Sequence, residues 1–199
     1  MASKLIDLNQ VPITSMAFNF DCSKLVVGLS NTNAEVYDFN SASRKWIKTA
    51  VLKDHISRVT GVDWAPNTNK IVTCGADRNA YIWEFDGKNW KSELVLLRIS
   101  RAATTVFWSP NEMKFAVGSS QRLLTICYYE DKQGFMKNWV SKHIKKPIKS
   151  TINSLSWHPG SVLIAAGSTD MTVRIFSSYL KQIEEKPEQT CWGTRIGLI

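Results

Sequence analysis

Apolar residues along this chain come in short runs separated by polar, turn-forming clusters. Val59 to Trp64, Ile71 to Cys74 and Ala80 to Phe85 read as strands, with Pro66-Asn67 and Asp77 marking the turns between them. Asp86-Gly87 then gives a hairpin signal, and a fourth strand is expected over Glu93 to Ile99. No convincing helical period occurs in this region or in the regions that resemble it.

The same pattern recurs. Phe18, Trp64, Trp108 and Trp157 open four copies, spaced 46, 44 and 49 residues apart. Ten residues past each anchor stand Gly28, Cys74, Gly118 and Gly167. Thirteen past stand Asn31, Asp77, Gln121 and Asp170, three of them good turn formers, and nineteen past stand Tyr37, Trp83, Cys127 and Phe176. The register needs no gap inside a copy, so the length differences fall between copies, where loops belong. Four short strands every ~40–45 residues is the signature of propeller blades of the WD-repeat type. The predicted fold is therefore all-β, a WD-repeat β-propeller, with blades at about residues 10–52, 53–99, 100–145 and 146–182 and a tail over 183–199.

The second copy carries a further pattern. His55, Thr73, Asp77 and Trp83 lie nine before and nine, thirteen and nineteen after Trp64. This is the His–Ser/Thr–Asp–Trp set that WD repeats use as an internal hydrogen-bond network. An Asp in a tight turn can accept from the His ring, the ring can bond a hydroxyl, and the hydroxyl can reach the indole N–H. Each such bond contributes ~0.5–1.5 kcal/mol net and fixes orientation as well. The other copies have Val27, Val117 and Ala166 where a hydroxyl is needed, so they are expected to rely on apolar packing alone.

Composition narrows the function. The chain has 199 residues and is 44% hydrophobic, which suits a packed core and excludes a disordered chain. Its net charge of +8 fits an acidic partner of any kind: nucleic acid, anionic membrane or acidic peptide. Cys22, Cys74, Cys127 and Cys191 are too far apart for a zinc site or a disulfide-stapled domain. The opening residues lack an apolar signal core, and no apolar run approaches the ~18 residues of a membrane helix. The expectation is a reduced, soluble, intracellular protein that needs no metal or cofactor.

Catalysis finds no support in the motifs. His55 and Asp77 are absorbed by the tetrad, and His158 in Trp157-His158-Pro159-Gly160 is a turn residue with no matching base or nucleophile. No nucleophile elbow, phosphate-binding loop or zinc-protease motif occurs, so the chain is read as a non-enzyme. The densest charge is in "KHIKKPIKS", with Lys142, Lys145, Lys146 and Lys149. One reading is a solvated loop between blades; the other is a docking patch for an acidic tail. Nucleic acid ranks third, because Trp139 and Trp157 read as strand and core residues rather than stacking platforms. Arg98 and Arg101 flank another crossing between blades and either pair locally or face a partner.

Three long strings carry a more specific likeness: "HISRVTGVDWAPNTNKIVTCGADRNAYIW", "LLRISRAATTVFWSPNEMKFAVGSSQRLLTICYY" and "KHIKKPIKSTINSLSWHPGSVLIAAGSTD". Through them the chain resembles the WD-repeat subunit of the actin-related protein 2/3 complex, over about residues 10 to 192. The resemblance implies a cytoplasmic scaffold in the actin cytoskeleton. Such a scaffold would pack against an actin-related protein and small core subunits and support nucleation of filament branches. It also implies contact with the actin filament through the complex, and with the acidic tails of activators. The family resembles a seven-bladed propeller, whereas this sequence carries four copies. An open four-blade arc leaves two apolar faces and exposed edges, to be met by partner subunits, by a second arc or by aggregation. The competing functional readings are a WD-repeat adaptor for RNA or another acidic partner, and a product that does not assemble.

Overall fold

The structure is a computed structural model that describes residues 11–132, 136–181 and 184. Its regular elements are all strands. The first sheet contains β1 (Ile13–Phe18), β2 (Lys24–Leu29), β3 (Ala34–Asn40) and β4 (Lys45–Leu52). The second contains β5 (Val59–Trp64), β6 (Ile71–Gly75), β7 (Asn79–Phe85) and β8 (Trp90–Leu96). The third contains β9 (Ala103–Trp108), β10 (Lys114–Ser119), β11 (Leu124–Lys132) and β12 (Met136–Ile144). The fourth has three strands among the described residues: β13 (Ile152–Trp157), β14 (Leu163–Ser168) and β15 (Thr172–Ser177). Every sheet is an antiparallel meander in sequence order. Each is one blade of a β-propeller, and residues 1–10, 133–135, 182–183 and 185–199 lie outside the described residues, Cys191 among them.

One strand departs from the expected bounds. The fourth strand of the second blade runs Trp90–Leu96, not Glu93 to Ile99. The Asp86 amide donates to the Asn89 carbonyl at 3.0 Å, and the Asp86 carboxylate accepts from the amides of Lys88 and Asn89. That turn closes within four residues, so pairing resumes at once with Phe85 opposite Trp90. At the other end Arg98 takes φ 54, a left-handed conformation that leaves the strand, while Leu97 and Ile99 stay buried as parts of the crossing.

Blades stack through a repeated pair of faces. The trailing face of the first blade, Val26, Ala34 and Val36, packs on the leading face of the second, Val59, Val62 and Trp64. Val72, Ala80 and Ile82 of the second meet Ala103, Val106 and Trp108 of the third. Ala116, Leu124 and Ile126 of the third meet Ile152 and Leu155 of the fourth, with Trp157 alongside. The trailing positions alternate along their strands, and a bulge in each leading strand, as between Val59 and Gly61, keeps its first position on the same face, which lets one sheet serve two neighbours. Two hydroxyls reinforce the stack: Thr14 donates to the Val59 carbonyl at 2.8 Å and Thr104 to that of Ile152 at 2.5 Å.

Three contacts between blades have no counterpart in the sequence pattern. The Glu112 carboxylate accepts from the amides of Asn67 and Thr68, both at 2.7 Å, and so clasps the turn of the preceding blade. Asp63 accepts from the Trp108 amide at 2.7 Å, and burial pushes its carboxyl up to about 6. Lys114 is fully buried; its ammonium donates to the Ser178 carbonyl at 3.0 Å, pairs with Glu184 and lies 5.8 Å from the centre of the Trp157 ring. The matching lysines of the first two blades pair within their own sheets, Lys24 with Asp38 and Lys70 with Glu84.

Asp63 gives a pH prediction. Its folded pKa lies above the unfolded value of roughly 3.9, so the folded state binds more protons in between, and stability falls as pH rises from about 4 to about 6. Asp63→Asn keeps an acceptor for the Trp108 amide and removes the titration. Thermal melts of the variant are expected to lose that fall and to show a gain of about 1–2 kcal/mol at pH 7 over the parent chain.

Candidate interaction site at one end of the blades

Within the second blade the structure joins His55, Thr73, Asp77 and Trp83. The His55 ring places Nδ1 2.8 Å from Asp77 Oδ2 and Nε2 2.8 Å from Thr73 Oγ1. The Trp83 indole N–H donates to the same Thr73 hydroxyl at 3.0 Å. The indole can only donate and the carboxylate can only accept, so with a neutral ring the proton sits on Nδ1, facing Asp77, and Nε2 accepts from the Thr73 hydroxyl. Asp77 also accepts from the amides of Ile56 and Asn79. Burial by itself would raise its pKa, but the bonds from His55 and the two amides outweigh this and hold it below the usual carboxylate range. The four side chains bond one another and neighbouring backbone amides inside the blade.

Gly75 is where this network meets the backbone. A Cβ there would lie 2.7 Å from His55 Nδ1 and 2.9 Å from Asp77 Oδ1. Gly75→Ala is therefore expected to push the ring off the carboxylate and cost about 1–3 kcal/mol, read as a lower urea midpoint.

The other blades do not rely on apolar packing alone. In the third, Gln121 takes the place of Asp77 and accepts from the Ser100 amide at 2.6 Å, as Asp77 does from Ile56. In the fourth, Asp170 pairs with Arg174 at 2.9 Å and accepts from the Thr172 hydroxyl at 2.5 Å. In the first, Asn31 accepts from the Asn33 amide. A backbone bond common to all four ties each turn to the crossing before it: Ser30 N–H to Pro12, Ala76 to Arg58, Ser120 to Ala102 and Thr169 to Thr151.

These locks build one end of the arc. Because the strands alternate in direction, the β2–β3, β6–β7, β10–β11 and β14–β15 turns lie at the same end as the crossings between blades. That end carries Lys53, Arg58, Arg78, Arg98, Arg101, Arg122, Lys145, Lys146 and Lys149, all exposed, against Asp54, Asp77 and Asp170. Nine basic against three acidic residues leave a net +6, and two of the three carboxylates are occupied by His55 and Arg174. The described residues of the opposite end hold four basic side chains (Arg44, Lys70, Lys88, Lys181) and four acidic ones (Asp21, Asp86, Glu112, Glu184), a balance of zero. The nine cations form no ion pair among the described residues.

The candidate residues divide accordingly. Arg98 and Arg101 lie in the crossing at 97–102, and Lys145, Lys146 and Lys149 in the crossing at 145–151. Lys142 sits apart, within β12 opposite Ile126, on the outer strand of its blade. Arg58, Arg78 and Arg122 belong to the basic end although the sequence pattern singled out none of them. Arg78 and Arg122 occupy equivalent turn positions at φ 70 and φ 63, where Gly or Asn would sit with less strain. His158 is an exposed turn residue whose Nδ1 accepts from the Gly160 amide. Trp139 packs on Trp108 and Phe115 and donates to Glu93.

No group of His, Cys, Asp and Glu that could hold a metal ion occurs among the described residues. Cys22, Cys74 and Cys127 carry free thiols, and burial pushes those of Cys74 and Cys127 up to about 12, which disfavours their thiolates. No helix among the described residues is long and apolar enough to cross a membrane.

Repeated antiparallel sheets of three or four strands, common turn locks and the tetrad define a WD-repeat β-propeller protein. The family described as WD domain, G-beta repeat matches residues 46–84 and 140–177. Over nearly its whole length the chain is homologous to subunit 1 of the actin-related protein 2/3 complex. It is 51% identical over 185 residues to subunit 1A-B of Xenopus laevis, covering 93% of this chain and 49% of the relative. It is 45% identical over 196 residues to subunit 1 of Schizosaccharomyces pombe, covering 98% and 50%. With subunit 1 of Saccharomyces cerevisiae the identity is 50% over 192 residues, covering 94% and 48%. The chain spans about half the length of the curated relatives it matches.

Proposed function

We propose that this chain is a non-enzymatic scaffold in an actin-related protein 2/3 complex and supports nucleation of branched actin filaments in the cytoplasm. The observation that carries the reading is its homology to proteins named as subunit 1 of that complex in a frog and two yeasts. In this role the stacked blades act as a rigid platform for the actin-related proteins and small core subunits, and the filament is engaged through the assembled complex. The tetrad that locks the second blade agrees with a platform.

The basic end supports a second element of the proposal: acidic tails of activators dock across the loops that carry Arg98, Arg101, Lys145, Lys146 and Lys149, with Arg58, Arg78 and Arg122 beside them. Unpaired, exposed cations on backbone-locked loops attract such a tail with little ordering cost. Lys142, on the outer strand, is peripheral to it. The test is affinity capture of the tagged chain from its own cells. Recovery of both actin-related proteins and the small subunits in near-equal amounts is the expected result, and chaperones alone would overturn the reading.

A further inference from the structure

The basic end carries a second feature, which a docked acidic tail leaves unused: exposed apolar tips. Ile56 is 82% and Met171 99% exposed. Ile56 stands in the 53–58 crossing, between Lys53 and Arg58, and Met171 in the β14–β15 turn. Ile56 belongs to a blade packed on both sides. Arg78 and Arg122, the equivalents of Met171 on blades packed on both sides, are exposed as well. Neither tip therefore owes its exposure to an uncovered blade face. Met171 also takes φ 62, a left-handed conformation that Gly or Asn adopts with less strain. Neither the turn nor the core accounts for an apolar side chain there.

We propose that the basic end docks on an anionic lipid bilayer, with its cations among the headgroups and Ile56 and Met171 inserted toward the acyl chains. Charge complementarity brings this end to the membrane and not the other: nine basic against three acidic residues here, and a balance of zero opposite. The opposite end has apolar tips too, Phe20 at 80% and Met113 at 64% exposure, so only at the basic end do apolar tips and unpaired cations coincide. An interfacial surface needs both, since the cations supply attraction and the apolar side chains supply burial. The two tips lie two blades apart, on loops tied down alike by the Ala76–Arg58 and Thr169–Thr151 backbone bonds. A bilayer offers an apolar layer to both. Nucleic acid offers none, and the described residues of this end hold no exposed aromatic ring on which bases could stack. The contact is peripheral and independent of which larger assembly the chain joins. An acidic tail would compete with it for the same cations.

Co-flotation of the 199-residue chain with lipid vesicles tests this, because flotation carries upward only protein that is bound to lipid. Vesicles of phosphatidylcholine with about 30% phosphatidylserine are expected to lift the chain, and pure phosphatidylcholine vesicles are not. Ile56→Ser combined with Met171→Asn uses residues that suit the two positions: Ser stands at the equivalent Ser100, and Asn tolerates a left-handed turn. This pair is expected to lower partitioning about tenfold at unchanged net charge. Phe20→Ser combined with Met113→Ser, at the opposite end, is the control and is expected to change it by less than about twofold. Flotation that survives the Ile56 and Met171 changes would assign the cations to charge contacts alone, as with an acidic tail, and would overturn the proposal. So would a chain that stays unbound with phosphatidylserine, or equal losses from both pairs.

Discussion

Asp77→Ala is expected to be the most damaging single substitution in the described fold, at about 3–5 kcal/mol. The carboxylate is fully enclosed, and it accepts from His55 Nδ1 at 2.8 Å and from the Ile56 and Asn79 amides at 3.1 and 3.2 Å. Removing it leaves three donors without a partner, and each buried orphan costs about 1–3 kcal/mol. The loss spreads beyond the turn. Without the carboxylate the His55 ring has nothing to fix its proton on Nδ1, so Nε2 no longer reliably accepts from Thr73, and Trp83 loses its anchor in turn. Trp83 and Tyr81 lie in or against the core shared with the first blade, so the first and second blades loosen together. Equilibrium urea unfolding followed by tryptophan fluorescence reads this as a lower midpoint. Acid should act in the same direction. A folded pKa below the usual carboxylate range means the contribution of Asp77 is full above about pH 4 and lost as pH falls through the folded value. Asp77→Ala should therefore flatten the acid limb of the stability profile, and an unchanged limb would show that the network does not bear on stability.

Reversing Arg98, Arg101 and Arg122 together to Glu is expected to weaken binding of an acidic tail peptide about 100-fold at physiological salt. Three exposed pairs at up to ~1 kcal/mol each sum to about 3 kcal/mol, and every 1.4 kcal/mol is tenfold. The three lie on neighbouring loops held by the Ser100–Gln121 and Ser120–Ala102 bonds, so one extended acidic segment can span them. The parent chain should lose affinity as salt rises, and the triple variant should lose most of that dependence. Arg44, Lys70 and Lys88 offer the control, since they sit at the end of zero net charge. Their reversal should leave affinity within a factor of about two. Isothermal titration at two salt concentrations separates the cases. Equal losses from both triples would mean that net charge, and not the basic end, governs the contact.

What was legible in the sequence was whatever the repeat holds at fixed spacing. Anchors, turns and the His55–Thr73–Asp77–Trp83 set could be read because each blade is a local meander, so contacts within a blade keep constant offsets. What lay hidden was set by contacts between blades. The clasp of Glu112 on Asn67 and Thr68, the Asp63 bond to the Trp108 amide and the burial of Lys114 against Ser178 and Glu184 join residues tens of positions apart. The Asp63 and Lys114 contacts occur once, and the clasp recurs only as the Ser161 hydroxyl accepting from the Asn111 amide, through a different residue type, so no repeated residue signals them. The basic end was half visible. "KHIKKPIKS" is dense enough to notice, but Arg58, Arg78 and Arg122 are isolated in sequence and gather only because alternate turns share an end. Gln121 and Asp170 stood at the offset of Asp77 throughout, but their partners, Ser100 and Arg174, follow no motif.

The most direct test of the scaffold reading is reconstitution of an actin-related protein 2/3 complex in which this chain is the WD-repeat subunit. Branches per filament length would be counted by fluorescence microscopy with an activator bearing an acidic tail. Branch formation is expected to depend on the chain and to fall sharply with the Arg98, Arg101 and Arg122 reversals. A complex that assembles without the chain, or that branches equally well in its absence, would contradict it.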